Sequence, residues 1–164
     1  MNTSILAKAA LAASLALASC GGGAPTDAAG LTNAGYEKYD AQDYEGAQAD
    51  FQAALDAGAE GAALKDATLG LIRALAHTNT EKASQTFQDF ASANADLVVA
   101  KDYSTIGGEL VTAGGTVDAI HVVDAGLKRY DGDAGLTNVL EKIKERAAAG
   151  DAEAASALSG LGYL

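Results

Sequence analysis

Small and apolar side chains recur at helical spacing within residues 43–57. The spacing places one set on a single face of a helix: Tyr44, Ala47, Phe51, Ala54 and Leu55. Asp43 stands immediately before this set, where a side-chain oxygen caps a helix N-terminus. Residues 31–41 carry a second helical stripe. Together the two segments predict a helical hairpin.

The same pattern returns every 36 residues. One column contains alanine throughout, at Ala47, Ala83, Ala119 and Ala155. A second contains turn and N-cap types, at Asp43, Asn79, Gly115 and Asp151. With the stripes between these columns, the pattern predicts eight helices at 31–41, 44–57, 61–77, 80–92, 104–113, 116–130, 133–149 and 152–161, with a longer connection at 93–103.

This pattern resembles the tetratricopeptide (TPR) family. The matching positions of the first unit are Gly35, Tyr39, Asp43, Tyr44, Ala47, Phe51, Ala54 and Leu55. The resemblance covers about residues 28–164, with the repeat domain expected at 31–164, and implies an all-α, right-handed solenoid of helical hairpins, with about four units of 36 residues. The chain departs from the family in its period, which is 36 and not 34, and in lacking the proline that ends each unit. The second and fourth units match least well.

Two other interpretations of the repeats stay open. The C-terminal segment also fits the first helix of a longer Sel-like repeat, and an ordinary helical bundle would show similar stripes. All three alternatives are all-α. The composition agrees with an all-α fold, because the chain is rich in alanine, which favours helix most strongly, and has only one proline that could interrupt a helix. It also has 19 glycines and no tryptophan.

Charge excludes one class of partner. The formal net charge is −11, from 11 basic and 22 acidic residues, and no basic patch offsets it. Such a surface repels phosphate backbones, so we expect no nucleic-acid binding.

The N-terminal segment predicts a location. Residues 1–19 contain Lys8 and then an apolar run at 9–18, which is shorter than the roughly 20 residues that span a bilayer. The run ends in Leu17, Ala18, Ser19 and Cys20, which resembles the bacterial lipoprotein signal. That resemblance implies a signal peptide at 1–19, cleavage before Cys20 and lipidation of Cys20. The alternative is a chance cysteine after an ordinary signal peptide.

The residues after the cysteine extend this prediction. Gly21 stands where some relatives carry an aspartate that retains them in the inner membrane, which favours the outer membrane facing the periplasm. Residues 20–30 are rich in glycine and predict a flexible linker. We therefore expect a lipid-anchored protein of the bacterial cell envelope.

Candidate catalytic chemistry is sparse. His77 and His121 have no second histidine at i+3 or i+4, so each is interpreted as a helix-end or surface residue. The acidic stretch 130–133 fails the pattern of a calcium loop, and no nucleophile or phosphate-loop motif is present. We expect no enzyme activity, no cofactor and no metal site.

A partner-binding groove is implied by the TPR resemblance. Its positions fall on the first helix of each hairpin, at Thr32, Tyr36, Tyr39, Thr68, Ile72, Ser104 and Gly108. Tyr39 fits a core position equally well. The occupant implied is a protein or peptide, because tyrosines are frequent anchors at interfaces. The alternative is a small molecule or cell-wall fragment held by the glycine-rich third unit.

Overall fold

The computed structural model describes residues 25–164, which form eight helices and no strand. The helices are α1 (Ala28–Asp40), α2 (Tyr44–Asp56), α3 (Gly61–Ala76), α4 (Thr80–Ala93), α5 (Ala100–Thr112), α6 (Thr116–Arg129), α7 (Ala134–Ala148) and α8 (Ala152–Gly160). The predicted eight helices are therefore confirmed, with ends that agree to within one residue except at the starts of α1 and α5. Residues 1–24 lie outside the described part.

The even-numbered helices keep the repeat length without variation. They start at residues 44, 80, 116 and 152, which is a constant spacing of 36. The residue before each start is the predicted cap residue. At three of these four positions the cap side chain accepts a hydrogen bond from a backbone N–H of the first helical turn: Asp43, Asn79 and Asp151. Gly115 occupies the fourth cap position without a side chain. Local side-chain capping thus sets the start of three of the four even helices.

Two helices start earlier than the sequence predicts. α1 begins at residue 28, and not at 31, because the Asp27 carboxylate accepts from Gly30 N at 2.8 Å. Residues 28–30 are consequently helical and do not belong to the linker predicted at 20–30. α5 begins at residue 100, and not at 104, because the Asp102 carboxylate accepts from Val99 N at 2.8 Å.

Neighbouring helices are arranged in two layers. The odd-helix layer contains α1, α3, α5 and α7, each in contact with the next. The even-helix layer contains α2, α4, α6 and α8, in which α4 packs against α6 and α6 against α8, whereas the backbones of α2 and α4 do not pack against each other. Each hairpin also contacts the one that follows. The described part of the chain is an all-α solenoid of helical repeats.

A small separate core lies where the first unit packs on α3. Ala47, Phe51 and Ala74 form a buried cluster separate from the main core, and Phe51 is fully buried. Gly35 and Gly70 face the Phe51 ring at distances too short to admit a methyl group. Glycine is therefore required at both positions so that the helix backbones of α1 and α3 can approach the aromatic ring.

Candidate functional site

The structure separates the predicted groove residues into two groups. Thr32 and Thr68 are 5% and 6% exposed, and Ile72 is fully buried. The Thr32 hydroxyl donates to the carbonyl of Ala28, and Ile72 belongs to the main core. A partner at the surface does not reach these three side chains, so their contacts assign them to packing. Tyr36, Tyr39 and Ser104 are half-buried and reach the surface.

Tyr36 joins the first two units. Its hydroxyl donates to Asp66 Oδ1 at 2.8 Å, and its ring packs edge-on against Phe51 with 4.9 Å between ring centroids. Burial, followed by the hydrogen bond to Asp66, raises the pKa of Tyr36 well above its ordinary value. Tyr36 is therefore a fixed, uncharged side chain at the junction of α1 and α3.

Tyr39 lies at the centre of a cluster that spans three units. Its hydroxyl donates to Glu109 Oε1 at 3.1 Å and lies 3.2 Å from His77 Nε2. Tyr39 belongs to α1 and Glu109 to α5, two helices that do not pack against each other. We name this group the Tyr39 cluster, and its members are Tyr39, Tyr44, Arg73, His77 and Glu109.

Arg73 and His77 complete the cluster from α3. Arg73 donates a hydrogen bond from Nε to Glu109 Oε1 at 3.0 Å, and its Nη2 lies 2.9 Å from the same oxygen as an ion pair. Its guanidinium also lies 4.6 Å from the centre of the Tyr39 ring, within the range of a cation–π contact. The His77 ring stacks on Tyr44 with 4.0 Å between centroids. Each member of the cluster thus touches at least one other, and the geometry of the group is fixed by these contacts.

The electrostatics of the cluster keep Tyr39 protonated. Burial is the main cause that raises the pKa of Tyr39 to about 12, the Glu109 carboxylate adds to the rise, and the Arg73 cation opposes it. At neutral pH Tyr39 therefore keeps its proton and donates a hydrogen bond to Glu109. The hydrogen bond to Glu109 also raises the pKa of Arg73 against the opposing effect of burial, so Arg73 stays charged.

Among the five residues of the Tyr39 cluster, only Tyr39 is predicted from the sequence as a site residue. One signal could have found two more, because Arg73 and Glu109 are 36 residues apart and occupy equivalent positions in successive units. Opposite charges one repeat length apart on the odd-helix layer predict an ion pair between neighbouring units. Tyr44 and His77 offer no comparable signal.

Gly108, which precedes Glu109 in the sequence, leaves α5 without a side chain at one position, which we call the bare strip. A Cβ placed on Gly108 would meet nothing within 4 Å, although the residue lies inside a helix. Its neighbour Gly107 is different, since a Cβ there would lie 2.7 Å from Val123 Cγ2. Packing therefore explains Gly107 and does not explain Gly108, where glycine costs roughly 1 kcal/mol relative to alanine in a helix.

Two further properties concern residues 25–164 as a whole. They contain no group of three or more histidine, cysteine, aspartate or glutamate side chains placed to hold a metal ion. No helix in this range combines the length and apolar character needed to cross a bilayer. The predicted lipidation site, Cys20, lies outside the described residues.

Comparisons with known proteins give no relative. The chain matches no protein-family model, and neither curated proteins nor solved structures give a significant match. The function of the protein is therefore inferred from the contacts of its own residues.

Proposed function

We propose that this protein is a lipid-anchored lipoprotein of the bacterial cell envelope, and that it acts by binding a protein or peptide on its odd-helix layer. The observation that carries the binding proposal is the Tyr39 cluster, a half-exposed group of tyrosine, arginine and histidine side chains held in one geometry across three units. Tyrosine and arginine are enriched among residues that dominate binding energy at interfaces.

Prior ordering of the cluster favours binding. Long side chains such as arginine lose rotamer freedom when a partner immobilises them, at about 0.5–1.5 kcal/mol each. Arg73 already has three of its contacts made, two to Glu109 and one to the Tyr39 ring. When a partner docks on this layer, little additional conformational entropy is therefore lost at the Arg73 side chain.

The bare strip at Gly108 supports the same surface. A helix position that would tolerate a side chain, but has none, lets another backbone approach closely. Gly108 is adjacent in sequence to Glu109, a member of the Tyr39 cluster. A partner segment that curves around α5 here would contact the helix backbone at Gly108 and the cluster on the face turned from it by roughly 100°.

A pair of glycine substitutions tests the binding surface. Gly108 and Gly160 both lie in helices with open space at Cβ, one on α5 and the other on α8. The test compares wild type, Gly108→Gln and Gly160→Gln after crosslinking in intact cells and affinity capture. We expect a partner that is captured with wild type and Gly160→Gln, and lost with Gly108→Gln. A capture profile that is the same for both variants would contradict the assignment to the odd-helix layer.

The anchor is tested separately. It is supported by the sequence Leu17, Ala18, Ser19 and Cys20 after a short apolar run. Cys20→Ser is expected to leave the precursor unprocessed or to release the protein from the membrane fraction. Ser19→Ala is the matched control, since it keeps a small residue before the cysteine. Unchanged processing and membrane retention in Cys20→Ser would refute the lipoprotein assignment.

A further inference from the structure

An open pocket of about 350 Å³ lies in the even-helix layer, between the C-terminal halves of α4 and α6. It is remote in sequence from the Tyr39 cluster and shares no residue with it. Three of its seven lining residues are alanines and the other four carry polar groups: Ala91, Ala95, Ala125, Gln88, Ser92, Tyr103 and Arg129. Its volume is at the lower end of the range of roughly 300–1,000 Å³ found for ligand sites.

Tyr103 brings a fixed ring and a hydroxyl to this pocket. The residue is 5% exposed, and its ring is held edge-on by Phe87, at 4.9 Å between centroids, and by Tyr130, at 5.9 Å. The hydroxyl of neighbouring Tyr130 donates to the carbonyl of Val98 at 2.7 Å, so that group is already paired. The Tyr103 hydroxyl is not among the buried unpaired polar atoms of residues 25–164, so it is open to solvent, and Tyr103 lines the pocket. A ligand in the pocket can therefore pair with it.

Arg129 supplies a positioned positive charge at the rim. One of its terminal nitrogens donates to the carbonyl of Ala95, and its guanidinium lies 5.3 Å from the centre of the Tyr130 ring. These two contacts fix the plane of the guanidinium and leave other N–H groups available. A planar guanidinium with paired donors matches the geometry of a carboxylate.

Charge restricts the ligand further. Arg129 is the one charged side chain in the described lining, which contains no carboxylate. The whole chain carries a net charge of −11, so a polyanion is repelled while a single negative charge can be balanced at Arg129. The alanine side chains Ala91 and Ala125 offer room for a compact apolar group.

We propose that this pocket binds a small monocarboxylic acid whose carboxylate pairs with Arg129, whose apolar body lies against Ala91 and Ala125, and whose second polar group pairs with the Tyr103 hydroxyl. This site is independent of the binding surface on the odd-helix layer. It makes the protein a receptor for a small organic acid in addition to its proposed role as a scaffold.

Phenylacetate is a suitable first probe, with phenylacetamide as its uncharged counterpart and acetate as a carboxylate without the apolar body. The measurement is an NMR titration of the full chain that follows the methyl signals of Ala91 and Ala125. We expect saturable shifts with phenylacetate in the millimolar range, and binding about tenfold weaker with either comparison compound, as expected for the loss of one charge-assisted contact or of the buried body. Absence of saturation with phenylacetate, or equal binding of phenylacetamide, would overturn the proposal.

Variants assign the two polar contacts. Arg129→Gln should weaken phenylacetate binding about tenfold, and Arg129→Lys, which keeps the charge without the planar fork, should give an intermediate loss. Arg146→Gln, a surface arginine of α7, is the matched control and should bind as wild type does.

Tyr103→Phe keeps the ring and removes only the hydroxyl. In wild type, 4-hydroxyphenylacetate should bind several-fold more tightly than phenylacetate, and this difference should vanish in Tyr103→Phe while phenylacetate binding is retained. If both Arg129 variants bind like wild type, or if the difference survives in Tyr103→Phe, the corresponding contact is wrong and the proposed ligand class fails.

Discussion

Arg73 of α3 and Glu109 of α5 are separated by one repeat length and are joined by a hydrogen bond from Nε, at 3.0 Å, and by an ion pair from Nη2, at 2.9 Å. The same glutamate oxygen also accepts from Tyr39 of α1, at 3.1 Å. Glu109 therefore connects three successive odd helices, including a pair that does not pack directly. The stability of the odd-helix layer and the geometry of the proposed binding surface depend on the same carboxylate.

Removal of this carboxylate should be costly. Glu109→Ala leaves Arg73 and the Tyr39 hydroxyl without their acceptor, and we expect a loss of about 1–3 kcal/mol in the free energy of unfolding. The matched control is Glu141→Ala, because Glu141 pairs with Lys144 but its side chain is 58% exposed. That control should change stability by less than about 0.5 kcal/mol. Urea denaturation followed by circular dichroism gives both values, and equal losses would contradict a special role for Glu109.

Adjacent glycines of α5 should respond in opposite directions to alanine. Gly108→Ala meets no neighbour and should stabilise the protein by about 0.5–1 kcal/mol, from the higher helix propensity of alanine. Gly107→Ala forces a methyl group against Val123, which is fully buried, and should destabilise by about 1–3 kcal/mol. Thermal unfolding of the two variants measures the difference. A loss of stability in Gly108→Ala would show that the strip is not open.

Stability should depend on pH through Tyr39 in the alkaline range. Its pKa is raised to about 12 in the folded protein, against about 10 in an unfolded chain. Between these values the unfolded chain releases the proton and the folded protein keeps it, so the contribution of Tyr39 is complete below pH 10 and is lost as the pH rises toward 12. Wild type should therefore lose stability more steeply than Tyr39→Phe in this range. Parallel curves from denaturation at several pH values would contradict the assignment.

Loss of the Phe51 ring should act locally. Phe51→Ala empties the separate core of the first unit, with an expected cost of about 3–5 kcal/mol for that unit. In repeat proteins each unit contacts only its neighbours, so the remaining units can stay folded. Hydrogen exchange should show faster exchange in α1 and α2 and unchanged protection in α6 and α7. Uniform loss of protection along the chain would contradict a separable first unit.

Local signals in the sequence account for most of the fold. The even helices start where a cap residue precedes an apolar stripe, and both signals lie within a few residues of each other, as at Asp43 and Asn79. The early starts of α1 and α5 were missed because their caps involve the short-range partners Gly30 and Asp102, outside the repeat columns.

The candidate site was harder to predict because it depends on contacts between units. Periodicity places a residue on a helix, but it does not give the rotation of that helix against the next one. Ile72 was expected in the groove and lies in the main core, whereas Arg73, the next residue, reaches the surface and binds Glu109. One position along a helix turns the side chain by roughly 100°. The repeat columns cannot resolve a difference of that size.

The separate core around Phe51 also has a mechanical consequence. Because the backbones of α2 and α4 do not pack against each other, the first unit is joined to the rest mainly through α3, the turn after it and the Tyr39 cluster. Under the proposed anchoring at Cys20, tension reaches α1 first. Under load the first hairpin would unfold while the remaining hairpins stay folded. The molecule would therefore lengthen in steps before it unfolds completely.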